Sequence, residues 1–314
     1  MSARTAVLWT VLALPLLLLV PAHALAGAWI PAPGESYSEL RTGAFTADGY
    51  HDLDGARAPL PGGGLSEQRS LAARNEFGWK PRMSFFLTLP AVSVTRRTGN
   101  GAFERTETGL GDAVLGVRRL IAGGGRSALA IELGWKAPLG YDGDLSPHDS
   151  RGRALAVTGD TASHAVPGVA QLAPTLGAGQ QDLMGTLNFG TALAGFGFIE
   201  VGAGYRYRTQ APADQAIGAA DLGLWLGRSL LVGGRYRGEM AVGDGDTPAD
   251  KIDLHLVGPL LLYRVDDHID LMVGSLHTAS AKNALHIDEV YVSLAVRHTR
   301  LHRLQGFLGD KRSR

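Results

Sequence analysis

A two-residue hydrophobic period, repeated along most of the chain, constrains the fold more than any other feature. Leu129, Ile131, Leu133 and Trp135 share one parity, and Ala130, Glu132, Gly134 and Lys136 share the other. Successive side chains of a strand point to opposite faces, so this is a ribbon with one apolar and one mixed polar face. The same division recurs where Ile199, Val201, Ala203, Tyr205 and Tyr207 alternate with Glu200, Gly202, Gly204, Arg206 and Arg208. It recurs again where Val290, Val292, Leu294 and Val296 oppose Glu289, Tyr291, Ser293 and Arg297. Ile252, Leu254 and Leu256 oppose Lys251, Asp253 and His255, which assigns the three charged or titratable residues to the polar face.

About twelve such segments are expected, at 35–47, 65–78, 82–94, 108–121, 126–139, 179–194, 197–209, 215–227, 229–241, 250–264, 268–280 and 286–299. Their connections alternate in length. Short ones fall at 78–81, 122–125, around 195, 227–228 and 265–267, and longer ones at 48–64, 95–107, 140–178, 210–214, 242–249 and 281–285. A soluble sandwich, the competing fold, has no reason to keep its long loops at one end. An all-β transmembrane antiparallel up-and-down β-barrel does, with short periplasmic turns and long extracellular loops. Hydrocarbon offers no hydrogen-bond partners, so a spanning sheet must close. Segments of about 12 residues, rising roughly 3.3 Å each and tilted about 40°, cover an apolar band of about 25 Å. Trp79, Trp135, Tyr205, Tyr207, Tyr236 and Tyr263 lie near strand ends, where interfacial aromatics gather.

Residues 1–26 read as a cleavable signal peptide: Arg4 in a basic start, an apolar run over 6–20, and small residues through Ala26. The barrel is expected over 27–299, with a basic tail over 300–314 that carries Arg300, Arg303, Lys311, Arg312 and Arg314. With 30 Lys plus Arg against 30 Asp plus Glu there is no basic field for nucleic acid. The absence of cysteine excludes thiolate metal sites and a disulfide framework.

At 108–121 the run Thr-Gly-Leu-Gly-Asp-Ala-Val-Leu-Gly-Val-Arg-Arg-Leu-Ile resembles a strand motif of a known family, the outer-membrane transporters associated with the meta-cleavage pathway of phenol degradation. Gly27-Ala28-Trp29-Ile30-Pro31, Pro138-Leu139-Gly140-Tyr141 and the run 197–208 extend the likeness thinly over the mature chain. The resemblance implies an outer-membrane barrel and uptake of small aromatic or other hydrophobic compounds; it carries no catalytic residues. Such barrels usually end in an aromatic residue, whereas this last strand ends near His298.

The alternation assigns Glu132, Lys136, Glu200, Arg206, Arg208, Arg235, Arg237, Glu239, Asp253 and His255 to the lumen as selectivity candidates, with Asp112, Arg118, Lys251, Glu289 and Arg297 beside them. Two readings of these charges stay open: pairs that fill the barrel, or a constriction that selects solutes. The segment 140–178 is either an inward plug or an external loop. Asp142-Gly143-Asp144 and Asp244-Gly245-Asp246 lack the ligand set of a calcium loop, so no metal and no cofactor are expected. His277 with Ser280, or His148 with Ser150, would be needed for a lipid hydrolase; spacing alone does not make a catalytic set and no GxSxG elbow is present, so no enzyme is expected. The expected function is a narrow channel or transporter for small, hydrophobic or aromatic solutes, and the alternative is a non-transporting barrel with a filled lumen. Expected partners are outer-membrane lipid, the solute and the barrel-assembly machinery.

Overall fold

In the computed structural model the described residues are 28–99, 101, 104–139, 180–194, 196–209, 213–243 and 251–298. The expected signal segment 1–26, the segment 140–178 and the tail 300–314 lie outside them. The strands are β1 (Ser36–His51), β2 (Arg57–Pro59), β3 (Leu65–Lys80), β4 (Met83–Arg97), β5 (Glu104–Leu110), β6 (Asp112–Gly124) and β7 (Ser127–Pro138). They continue with β8 (Asp182–Leu193), β9 (Gly197–Arg208), β10 (Gln215–Leu226), β11 (Leu230–Ala241), β12 (Asp253–Arg264), β13 (Ile269–Lys282) and β14 (Ala284–His298).

Sequential strands pair antiparallel, and β14 returns to β1 with Ser36 opposite His298 and Leu40 opposite Leu294. β5 and β6 are two halves of one stave interrupted at Gly111: Leu110 faces Ala91 and Val114 faces Thr88, both on β4. β2 only folds back on the end of β1. The result is a closed barrel of twelve antiparallel staves, the architecture read from the alternation. Closure leaves no unpaired edge, which is what a sheet in hydrocarbon requires.

Two connections are shorter than expected. β4 and β5 run on through most of 95–107, because Ser93 pairs with Thr108 and Thr95 with Thr106 by hydroxyl hydrogen bonds of 2.9 and 2.8 Å. Polar residues on both faces make a strand end look like a loop. β13 and β14 meet at Asn283, whose φ of 51° makes the turn within one residue, where a loop over 281–285 was expected.

The outward face is the apolar one: Leu40, Leu87, Leu133, Leu187, Val201, Leu222, Leu261 and Val292 are all exposed. Exposed Trp79 and Tyr263 ring the end with the short turns, and exposed Trp135, Tyr205 and Tyr207 ring the other, as interfacial girdles do.

Residues 28–35, just before β1, turn inward. Gly34 N–H donates to the Gly78 carbonyl and Gly78 N–H to the Glu35 carbonyl, each at 2.9 Å. The carbonyls of Pro31 and Ala32 occupy the space a Cβ on Gly78 would need, and the Trp29 ring occupies that of Gly190. Gly78 on β3 and Gly190 on β8 both have inward parity, between the outward pairs Phe77 and Trp79, and Phe189 and Thr191. Residues 28–35 therefore cross the interior near its periplasmic end, and glycine is needed at both seats.

Candidate functional site in the barrel lumen

Side chains that meet across intervening strands identify the lumen. Arg118 on β6 donates to Glu76 on β3 at 2.9 Å, past β4. Arg235 on β11 donates to the Tyr291 hydroxyl on β14 at 3.0 Å, past β12 and β13.

Around Arg118 lies a largely buried network. Its Nε donates to Glu132 at 2.9 Å, the Ser84 hydroxyl donates to Glu76 at 2.6 Å, and the Arg74 guanidinium approaches both carboxylates at 3.7 and 3.9 Å. The Phe86 ring lies under Arg74 at 4.6 Å and over Gly116, whose missing Cβ leaves it room. Two cations thus meet two carboxylates, the pairing that buried charge requires.

A second network joins Asp221 to Arg235 and Arg237, each at 2.8 Å. Arg41 stacks on Tyr291 at 3.9 Å and reaches Glu289 at 2.7 Å. Nearer the periplasm, Asp270 binds Arg264 and Arg297, and Arg264 covers the Trp225 ring at 4.5 Å. Toward the outside, Lys136 Nζ sits 3.1 Å from Asp112 and 2.7 Å from Asp182. There Arg206 reaches Glu239 at 3.1 Å, and Arg206 and Arg208 both donate to the Gln215 side chain.

Of the residues assigned to the lumen, Glu132, Lys136, Glu200, Arg206, Arg208, Arg235, Arg237 and Glu239 share the inward parity of these networks. Asp253 and His255 do not, and their assignment is corrected here. His255 Nδ1 lies 2.8 Å from the Tyr236 hydroxyl on the outward face, and Asp253 accepts the Ala241 N–H at 2.9 Å. Leu256 instead packs inward against Leu260, Met272, Leu276 and Tyr291. Both parities of β12 carry large apolar residues, Leu254, Leu256, Leu260 and Leu262 on one and Val257, Leu261 and Tyr263 on the other, so alternation alone cannot choose its inner face. A register shift at His255/Leu256 blurs it further.

Glu39, Arg41, Arg74, Glu76, Asp182, Asp221, Arg264 and Asp270 also belong to these networks and do not stand out in the alternation. Arg74 and Glu76 flank Asn75, which breaks the apolar parity of β3, and Asp221 stands alone among small residues.

The lumen wall is therefore divided. Charged, mutually neutralised networks line most staves, while Leu256, Leu260, Met272, Leu276 and Tyr291 pack into a buried apolar cluster on β12 to β14, with Arg41 stacked on the Tyr291 ring.

No known family profile matches the sequence, and no curated protein matches it. Among solved structures, the COG4313 outer membrane channel from Pseudomonas putida F1 is similar over 87% of this chain and 98% of its own, with a TM-score of 0.65 and 10% identity. The translocator domain of autotransporter NalP from Neisseria meningitidis covers 94% of this chain and 97% of its own at a TM-score of 0.46 and 10% identity. The TodX monoaromatic hydrocarbon channel covers 90% and 92% at 0.42 and 12%. Closure, the outward apolar band, the aromatic girdles and the first of these likenesses agree: this chain has the fold of an outer-membrane β-barrel.

Proposed function

We propose that the barrel is a narrow outer-membrane channel for small solutes, hydrophobic and aromatic ones among them. The buried apolar cluster of Leu256, Leu260, Met272, Leu276 and Tyr291, set among the charged networks, carries this reading. A lumen built only to be filled by ion pairs has no need of it, whereas a hydrophobic solute that parts these side chains gains a lane where it displaces no bound water from charge. Opposite charges on the remaining wall cancel locally, so the path attracts neither ion class strongly. The resemblance to the phenol-degradation transporters points to the same substrate class. Twelve staves also enclose less space than the sixteen of an open porin. Lipid covers the outer face, and the assembly machinery that closes such barrels is the partner expected during insertion.

The buried Arg118 network and residues 28–35 across the interior favour a second reading, a barrel that passes nothing. Uptake into liposomes separates the two. A Leu260→Asp, Leu276→Asp double variant, verified as folded by heat-modifiability, loses uptake of a small aromatic hydrocarbon while a small polar solute is less affected. Equal uptake of the aromatic by variant and parent overturns the hydrophobic-lane reading, and no uptake by the parent favours the filled barrel.

A further inference from the structure

One constellation on the outer surface has no part in the lumen. Ser275 and His277 lie two residues apart on β13, and His277 stands directly opposite Asp288 on β14. His277 Nδ1 is 2.8 Å from Asp288 Oδ1, and its Nε2 is 3.1 Å from Ser275 Oγ. The register explains the geometry, because i and i+2 share a face of a strand and directly opposed residues bring their side chains into contact. With Nδ1–H donating to the carboxylate, Nε2 offers its lone pair to the serine hydroxyl. This is the order of nucleophile, base and orienting acid on which acyl transfer depends.

The position narrows the chemistry. The outward face of β14 runs Leu294, Val292, Val290 and then Asp288; that of β13 runs Leu271, Val273 and then Ser275 and His277. The trio thus marks the upper edge of the apolar band, where the ester groups of an amphiphile lie and its chains run down over Leu261, Val273 and Val292. His277 and Asp288 side chains are each 53% exposed, open to such a substrate. Register places Pro259 across from Ser275, and the β12–β13 ladder skips Gly258 and Pro259, since proline has no N–H to give.

We propose that Ser275, His277 and Asp288 form a lipid-facing site that cleaves long-chain acyl esters. Ser275 Oγ attacks the ester carbonyl carbon and its proton passes to His277 Nε2. The bond to the alcohol oxygen breaks, His277 returns the proton to the leaving alkoxide, and an acyl-serine and a free alcohol result. Water then attacks the acyl carbon with His277 as base, releasing the fatty acid and restoring the serine hydroxyl. Asp288 keeps the imidazole in the required tautomer and stabilises its cation. Oxyanion stabilisation falls to groups other than these three, so trapping the nucleophile is a more direct test than turnover.

The test uses the purified full chain, folded in lipid vesicles, and an alkyl fluorophosphonate, from which Ser275 would displace fluoride to form a stable phosphonyl ester. Peptide mass analysis is expected to place the adduct on Ser275. Ser275→Ala abolishes it, His277→Ala slows it by about 10²- to 10⁴-fold, Asp288→Asn slows it, and Ser280→Ala leaves it unchanged. Absence of an adduct on the folded parent protein, or labelling undiminished in Ser275→Ala, overturns the proposal. Should His277→Ala fail to fold, the Ser275 and Asp288 variants decide. Conductance of Ser275→Ala, measured in the same preparations, stays at the parent value, so this site and the channel stand or fall separately.

Discussion

Removing Arg118 isolates two carboxylates at once. Its side chain is 6% exposed, and those of Glu76 and Glu132 are 4% and 21% exposed. Breaking a buried ion pair by deleting one partner costs about 3–5 kcal/mol, because the other charge stays buried and unpaired. Arg74, at 3.7 and 3.9 Å from the two carboxylates, remains to offset part of this, which puts Arg118→Met near the lower end, about 3 kcal/mol. That is roughly a hundredfold in the folding equilibrium. The triple variant Glu76→Gln, Arg118→Met, Glu132→Gln removes charge and countercharge together and is expected to recover most of the loss. The assay is equilibrium urea unfolding in lipid vesicles followed by tryptophan fluorescence, extrapolated to zero denaturant. A loss below about 1 kcal/mol for the single variant, the range of exposed pairs, or a triple variant that is worse than the single one, refutes the reasoning.

At the extracellular end, His286 Nδ1 lies 3.1 Å from His51 Nε2, and its burial, with Arg57 nearby, lowers its pKa below the ordinary histidine range. Where the fold lowers a histidine pKa, the unfolded chain binds the extra proton first, so stability falls as pH drops below about 6.5. Unfolding measured between about pH 5 and 8 should show this slope in the parent and a flatter one in His286→Asn. Gly190→Leu places a side chain where the Trp29 ring sits; it is expected to displace residues 28–35 and enlarge the conductance steps, and unchanged steps would show that this segment does not limit the path.

Most of the barrel was legible because membrane strands expose their physics in sequence: lipid demands an apolar outer face along every stave, so Ile199, Val201 and Leu133 declare their side. β5 was hidden because it projects beyond the apolar band, where Thr106 and Thr108 pair through hydroxyls rather than greasy surface. β12 deceived for the opposite reason. Its inner face carries Leu254, Leu256, Leu260 and Leu262 and its outer face Val257, Leu261 and Tyr263, so hydrophobicity could not rank them. The Ser275, His277 and Asp288 trio was half visible: His277 drew notice, but with Ser280, because pairing across β13 and β14 depends on a register no single strand contains. Likewise Glu76 and Asp221 look like isolated acids until folding brings Arg118 and Arg235 to them.

Single-channel recording of the purified, folded protein in planar lipid bilayers tests the central claim most directly. A narrow lumen lined by neutralised charge predicts discrete steps well below those of a sixteen-stranded porin, with weak preference between cations and anions. Large porin-like steps would contradict the narrow lumen, and a folded barrel that stays silent would contradict an open path through it.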